Sequence, residues 1–196
     1  LDHKFDSLNS LLWRPSFSMQ RNTGTSLLDG TTFVARPDDA GATPQGANAS
    51  SYRSALTGVS GSSKLLYRRR FARRGRTLSA GFDADYNDNR GDNNLLSSST
   101  FYRQQQPVTS TLNQFSELTQ TGWNWRGSLE YTEPLGQNGA LQGEYKTIYA
   151  PNRSDKRTFD FVPDEQQFSR LNDTLSSVFG SNYRTNSGEL SYRYQN

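Results

Sequence analysis

The sequence contains no cysteine, which excludes disulfide scaffolds, thiolate metal sites and thiol chemistry. It has a single histidine, His3. A Ser-His-Asp triad would have to be built there, beside Asp2 and Asp6; an exposed strand-end residue is the plainer reading. Hydrophobic residues make up only 32% of the chain, and mean hydropathy is -0.88. No long apolar run exists, so a transmembrane helix is excluded. A membrane-spanning strand is not, because it needs only every second residue apolar. The formal net charge of +3 is too small to imply nucleic acid. No glycine-rich phosphate loop leads into a helix.

What is present is aromatic. Tyr, Phe and Trp number 10, 11 and 3, together 12% of the chain. Disordered chains lack such residues. Aromatics set among Ser, Thr, Asn, Gln and Gly favour β-structure with polar connections.

Hydrophobicity alternates with period two in six segments. Leu11, Trp13, Pro15, Phe17 and Met19 share one parity. Leu65, Tyr67 and Phe71 alternate with Lys64, Arg68 and Arg70. Leu78, Ala80, Phe82, Ala84 and Tyr86 alternate with Ser79, Gly81, Asp83 and Asp85. Trp123, Trp125, Leu129 and Tyr131 oppose Asn124, Arg126, Ser128 and Glu130. Leu141, Tyr145 and Tyr149 oppose Gln142, Glu144 and Lys146, and Leu190, Tyr192 and Tyr194 oppose Glu189, Ser191 and Arg193. A helix would scatter these residues around its circumference. The fold expected is all-β: an antiparallel up-and-down meander of about six strands, part of a transmembrane β-barrel.

Connections are expected to alternate. Phe71 to Thr77 and Pro134 to Gly139 read as tight turns. Arg21 to Ser51, Asn87 to Gln120 and Pro151 to Arg184 read as long polar loops. Short turns on one side and long loops on the other is how outer-membrane barrels are built. The polar parity, with Arg14, Lys64, Asp83, Arg126 and Glu144, suits a wet lumen. A half-buried soluble sheet with one solvated face shows the same alternation, so a soluble cell-surface adhesion or carbohydrate-binding module stays open.

The stretches "LDHKFDSLNSLLWRPSFSMQRN" and "SGSSKLLYRRRFARRGRTLSAGFDADYN" carry Arg14-Pro15 inside an early strand and an aromatic-basic hairpin turning at Gly75. With them the chain resembles the Bacteroidetes-type outer-membrane β-barrels of the TonB-dependent receptor superfamily. The resemblance implies a barrel of about 22 strands with an N-terminal plug. Residues 1–196 would be a partial barrel segment with no complete plug visible. It also implies nutrient uptake gated by the plug and driven by a TonB-type energy-coupling complex. Starting at Leu1 and ending in mid-pattern, the chain is expected to be a piece of something longer.

Short motifs are weak beside this geometry. Arg68 to Arg76 reads as a basic turn near acidic headgroups rather than a nucleic-acid patch. "DYNDNRG" places oxygens at Asp85, Asn87 and Asn89, but its glycine is one position late and Leu96 stands where a calcium loop closes with Glu. "RGD" at Arg90 to Asp92 is a three-residue coincidence. The carboxylate pairs Asp83/Asp85 and Glu130/Glu133 read as charged wall, not glycosidase machinery. No catalytic residue, metal or cofactor is expected, and the protein is expected not to be an enzyme. Ligand contacts are expected at loop tips through Phe101, Tyr102, Arg103, Tyr149, Asn152 and Arg153. Trp13, Phe17, Leu78, Phe82, Tyr86, Trp123, Trp125, Leu129, Tyr145 and Tyr192 are expected to face outer-membrane lipid.

Overall fold

The computed structural model describes residues 1–34, 42–103 and 106–194. Its eight strands in chain order are β1 (Asp2–Lys4), β2 (Asn9–Val34), β3 (Thr43–Arg70), β4 (Thr77–Arg103), β5 (Gln106–Leu135), β6 (Gly139–Val162), β7 (Gln167–Leu171) and β8 (Ser177–Tyr194). They form one antiparallel meander in which β1 to β6 follow sequence order, and β7 and β8 both pair with β6. The sheet is not closed. The six long strands contain the six alternating segments; β1 and β7 carry too few residues to show a period.

Register decides whether alternation means anything. Trp13 pairs with Leu65, Leu65 with Phe82, Phe82 with Gly127, and Gly127 with Thr147. One step lower, Leu11, Tyr67, Ala80, Leu129 and Tyr145 align. Every aromatic-bearing parity therefore meets its like across the sheet. A slip of one residue on any strand would have broken this match.

Both tight turns lie where they are expected. Gly75 (φ 88°) turns β3 into β4, and Gly136 (φ 72°) turns β5 into β6. Positive φ is cheap only without a Cβ. Pro15 sits in β2 opposite Ser63. The Trp13 N–H, two residues earlier, points away from β3 to the Leu1 carbonyl. The N–H that Pro15 lacks would lie on that same side, where β1 pairs β2 only at residues 10–12. Proline is tolerated on such a free edge.

The expected long loops are not loops. Arg21 to Val34, Asn87 to Arg103 and Pro151 to Val162 continue β2, β4 and β6, and Gln106 to Gln120 begins β5. Serine and threonine hydroxyls bridge the neighbouring strands there, as in Ser116–Thr158 and Thr100–Thr109, each at 3.0 Å. The backbone ladder needs no apolar face, so it runs on where the hydrophobic period fades.

Among the described residues no hydrophobic side chain is buried. The accessible surface is 14532 Å², whereas a compact soluble chain of this mass exposes about 9,300 Å². A soluble fold would have hidden these aromatics against a second layer.

Candidate functional site

The aromatic face spans five rungs, from the Leu78–Tyr131 pair to the Tyr86–Trp123 pair. Eight residue steps cover about 27 Å along the strand. At the tilt usual in barrels this is about 21 Å of height, near the ~25 Å apolar band of outer-membrane proteins. Its upper margin is an aromatic cluster: Tyr86–Trp123 at 4.6 Å, a stacked Trp123–Trp125 pair at 5.0 Å, and Phe82–Trp125 at 5.8 Å. Its lower margin holds Tyr67, Tyr131 and Phe71, the last two edge to face at 6.3 Å. Phe17, Leu129, Tyr145, Leu190 and Tyr192 stand exposed on the same face. Above Tyr86 the face changes character, with Asp88 held by Arg90 at 2.9 Å.

The opposite face is polar and layered. Level with the middle of the aromatic band, Arg126 reaches Asp85 at 2.8 Å and Asp83 at 3.7 Å, and Lys64 lies 3.9 Å from Asp83. Lower, Glu130, Glu144 and Glu189 stand side by side in one rung. Lys146 lies 2.8 Å from Glu144, and Gln142 donates to Glu130. Above the ion pairs come two consecutive rungs without a single charge. One is Ser18, Ser60, Asn87, Gly122, Asn152 and Ser181; the next is Gln20, Gly58, Asn89, Gln120, Ser154 and Phe179.

Within the first uncharged rung the side-chain ends of Asn87 and Asn152 fill the space over Gly122. A Cβ added there would collide with Oδ1 of Asn152 and stand 2.6 Å from Oδ1 of Asn87. The β5–β6 ladder skips Trp123 and Asn124, opposite Pro151 and Ala150 respectively, and resumes in the same register. Pro151 has no N–H to give it. Beside this gap the Asn124 Oδ1 is buried without a hydrogen-bond partner among the described residues.

A family model described as the outer membrane protein beta-barrel family matches residues 69–196. The chain belongs to the outer membrane protein beta-barrel family. Its place is the outer membrane. No curated relative matches the chain.

In such a barrel the short turns mark the periplasmic end. In this outer-membrane protein the turns at Gly75 and Gly136 lie just below the aromatic band. At the other end β4 continues 17 residues past Tyr86, to Arg103. The arginine cluster divides at the periplasmic end. Arg68 and Arg70 line a cavity of about 610 Å³ on the polar face with Asp2, Asp6, Arg14 and Lys64. Arg69 lies over the Phe71 ring at 5.0 Å. Arg73 and Arg76 converge on Glu133 at 2.8 and 2.6 Å, and Tyr131 donates to the same carboxylate. The Arg76 guanidinium and the Tyr131 hydroxyl hold Glu133, below the aromatic band, at a pKa of about 2.

Among the described residues, the two side chains most buried from solvent lie in the distal, extracellular part of the outer-membrane strands. Thr158 is 2% exposed and Gln114 7%. The segment Asn172–Ser176 interrupts what would be one strand, β7 plus β8, and folds over the polar face. Its Asn172 N–H donates to the Thr158 carbonyl at 2.8 Å, and the Thr158 hydroxyl donates to the Leu175 carbonyl at 3.2 Å. Gln114 donates to Asp160 at 2.8 Å, and Asn172 to the same carboxylate at 3.2 Å. Asp160 is held below the usual carboxylate range, first by the Gln114 bond. The sequence reading missed this cluster, whose members are ordinary loop residues until β5 and β6 are paired.

The expected ligand residues do not converge. Phe101 and Tyr102 stand exposed at the tip of the β4–β5 hairpin, on opposite faces. Arg103 is the last residue of β4, and its side chain lies outside the described residues. Tyr149, Asn152 and Arg153 are not in a loop but in β6, paired with Arg184, Ser181 and Gly180 of β8. Tyr149 shares the aromatic face, whereas Asn152 alone of the three turns to the polar face. The ten residues expected to face lipid all lie on the aromatic face.

The minor motifs resolve as strand. Asp85 to Asp92 lies within β4, so Asp85, Asn87 and Asn89 share the polar face while Asp88 and Asp92 point the other way. Such a ladder cannot wrap a cation as a calcium loop does. Glu130 and Glu133 lie on opposite faces, and Asp83 and Asp85 share Arg126. His3 packs edge-on against Phe5 at 4.7 Å, in the short strand β1.

Proposed function

We propose that this chain is a wall segment of a TonB-dependent receptor-like barrel that binds a nutrient and admits it across the outer membrane. The observation carrying the proposal is the two-faced sheet: an uncovered aromatic band of membrane height backed by a layered polar face. On this reading Trp13, Phe17, Leu78, Phe82, Tyr86, Trp123, Trp125, Leu129, Tyr145 and Tyr192 contact lipid, and the polar face lines the lumen. Among the described residues, most of the outer edge of β2 and the outer edge of β8 are unpaired in the sheet. Open edges recruit strands, and the remainder of a larger barrel, with its plug, would supply them. The mechanism is binding and passage, not catalysis. Phe101, Tyr102, Arg103 and Arg153 would meet ligand first, on the extracellular extensions. A soluble surface module remains the second reading only if some other layer covers the aromatic face.

Nutrient accumulation by cells producing the full-length protein tests the proposal. Accumulation that depends on the protein and stops when a protonophore collapses the inner-membrane gradient supports it. Protein-dependent accumulation that ignores the protonophore removes the TonB coupling. A detergent-free soluble monomer, with no protein-dependent accumulation, overturns the whole reading.

A further inference from the structure

We infer that the outer face of this barrel wall holds one anionic phospholipid of the periplasmic leaflet. Its acyl chain lies in a groove over Gly143 and Gly188, and its phosphate sits at the arginine turn below. The inference rests on the aromatic face meeting lipid, not on what the barrel carries.

The groove has a volume of about 460 Å³ and crosses β5, β6 and β8 on the aromatic face. Two rungs build it. Tyr131, Gly143 and Leu190 form the lower; Leu129, Tyr145 and Gly188 form the upper. Tyr131 and Leu190 thus stand two strand spacings apart, about 10 Å, with no side chain on the strand between them. The space over both glycines is open. Outside the chain neighbours, the first atom that a Cβ at Gly143 would meet is Cδ1 of Leu190 at 3.9 Å, and at Gly188 the Glu144 carbonyl oxygen at 3.8 Å. Glycine inside a strand weakens it and often marks a site that something else approaches closely.

The lining suits hydrocarbon. The Tyr145 hydroxyl donates to Asn186 and the Tyr131 hydroxyl to Glu133, so both rings stand as walls with their polar tips already satisfied. Glu144 and Glu189, at the floor, belong to the polar rung behind it. Leu190 is 73% exposed. A flexible acyl chain covers such a shallow apolar trough; a charged solute gains nothing there.

The headgroup half follows from Tyr131, which joins the groove to the β3–β4 turn. Tyr131 stands edge-on to Phe71, over which Arg69 lies, and it shares Glu133 with Arg73 and Arg76. Arg74 is exposed in the same turn. Four guanidinium charges face one carboxylate, which leaves +3. Glu133 takes one N–H of Arg73 and two of Arg76. Each guanidinium has five, and the rest are free to grip phosphate oxygens bidentately. The turn lies just below the aromatic band, at the depth where headgroups begin. Its excess positive charge favours a headgroup of net negative charge over a zwitterionic one.

Native mass spectrometry of the full-length protein tests both halves, after equilibration in detergent with equal amounts of dioleoylphosphatidylglycerol and dioleoylphosphatidylcholine. Phosphatidylglycerol should be retained about fivefold over phosphatidylcholine or more, since one arginine beside an anionic headgroup accounts for about that factor. Arg73→Gln combined with Arg74→Gln should bring the ratio close to one. Gly143→Leu combined with Gly188→Leu fills open space, so heat-modifiable gel migration should stay intact while retention of both lipids falls about tenfold. Equal retention of the two lipids by the unsubstituted protein overturns the inference. So does undiminished retention in the double leucine variant. Either failure with heat-modifiable migration preserved leaves the barrel standing; a monomer soluble without detergent would bring down the lipid-facing assignment as well.

Discussion

Leu65 and Leu66 are adjacent, identical in kind and on opposite faces of β3. Leu65 pairs with Trp13 and Phe82 in the middle rung of the aromatic band. Leu66 pairs with Leu12 and Gly81 on the polar face. Arginine at each position therefore tests the membrane geometry with one chemical change. Leu65 is 38% exposed within the chain, so with water on both faces Leu65→Arg would cost under about 1 kcal/mol. With lipid outside, the middle rung is about 13 Å along the strand from either margin. Arginine at that depth costs about 2–4 kcal/mol, which lowers the folded-to-unfolded ratio about 30- to 900-fold. Leu66→Arg meets water, Lys64 and Arg68, whose repulsion is screened, and should cost at most about 1 kcal/mol. Leu78→Arg, at the lower margin, should cost about 0–1 kcal/mol. Urea unfolding of the full-length protein in lipid vesicles, followed by tryptophan fluorescence, measures all three. Equal costs at Leu65 and Leu66 would refute the assignment of faces. Equal costs at Leu65 and Leu78 would refute lipid as the covering medium, because a protein layer has no such dependence on depth.

Glu133 has a folded pKa depressed to about 2, so its pairing with Arg73 and Arg76 contributes fully above the ordinary glutamate pKa and is lost as pH falls through about 2. Carboxyl carbon NMR of the full-length protein should show Glu133 still ionised at pH 3, and Glu133→Gln should remove the acid dependence it causes. A midpoint near 4 would refute the pairing. Thr158→Val keeps the shape but drops the hydroxyl that donates to Leu175, and should cost about 1 kcal/mol locally. Amide exchange at Thr158 and Asn172 should then quicken about fivefold; unchanged exchange would mean that the Asn172–Ser176 segment is held by something else.

The faces were legible in the sequence because one of them is apolar. Phe82 between Gly81 and Asp83 announces a strand and its orientation together. The same rule hides the strand once both faces are polar. In Asn87 to Arg103 the period vanishes, yet β4 runs through to Arg103 because β3 and β5 supply its hydrogen bonds. Pairing is a tertiary fact that composition does not report. Serine and threonine gave the only hint, through hydroxyls that later bridge strands.

The asparagine cluster over Gly122 was hidden for a different reason. Sorting residues by parity assigns Asn87, Asn124 and Asn152 to one face, but a slip of two residues keeps every face intact and moves every partner. Only a tight turn removes that freedom. Leu135 pairs with Gly139 across the turn at Gly136, and no bulge intervenes up the β5–β6 ladder, so Gly122 must meet Asn152. That half of the cluster follows from counting back from one glycine. The other half, Asn87 against Gly122, depends on the β4–β5 hairpin at Arg103–Gln106, whose polar residues name no turn type. A polar cluster in a barrel wall is therefore readable from sequence only where its strands share a short turn. Elsewhere it becomes visible once the register is known.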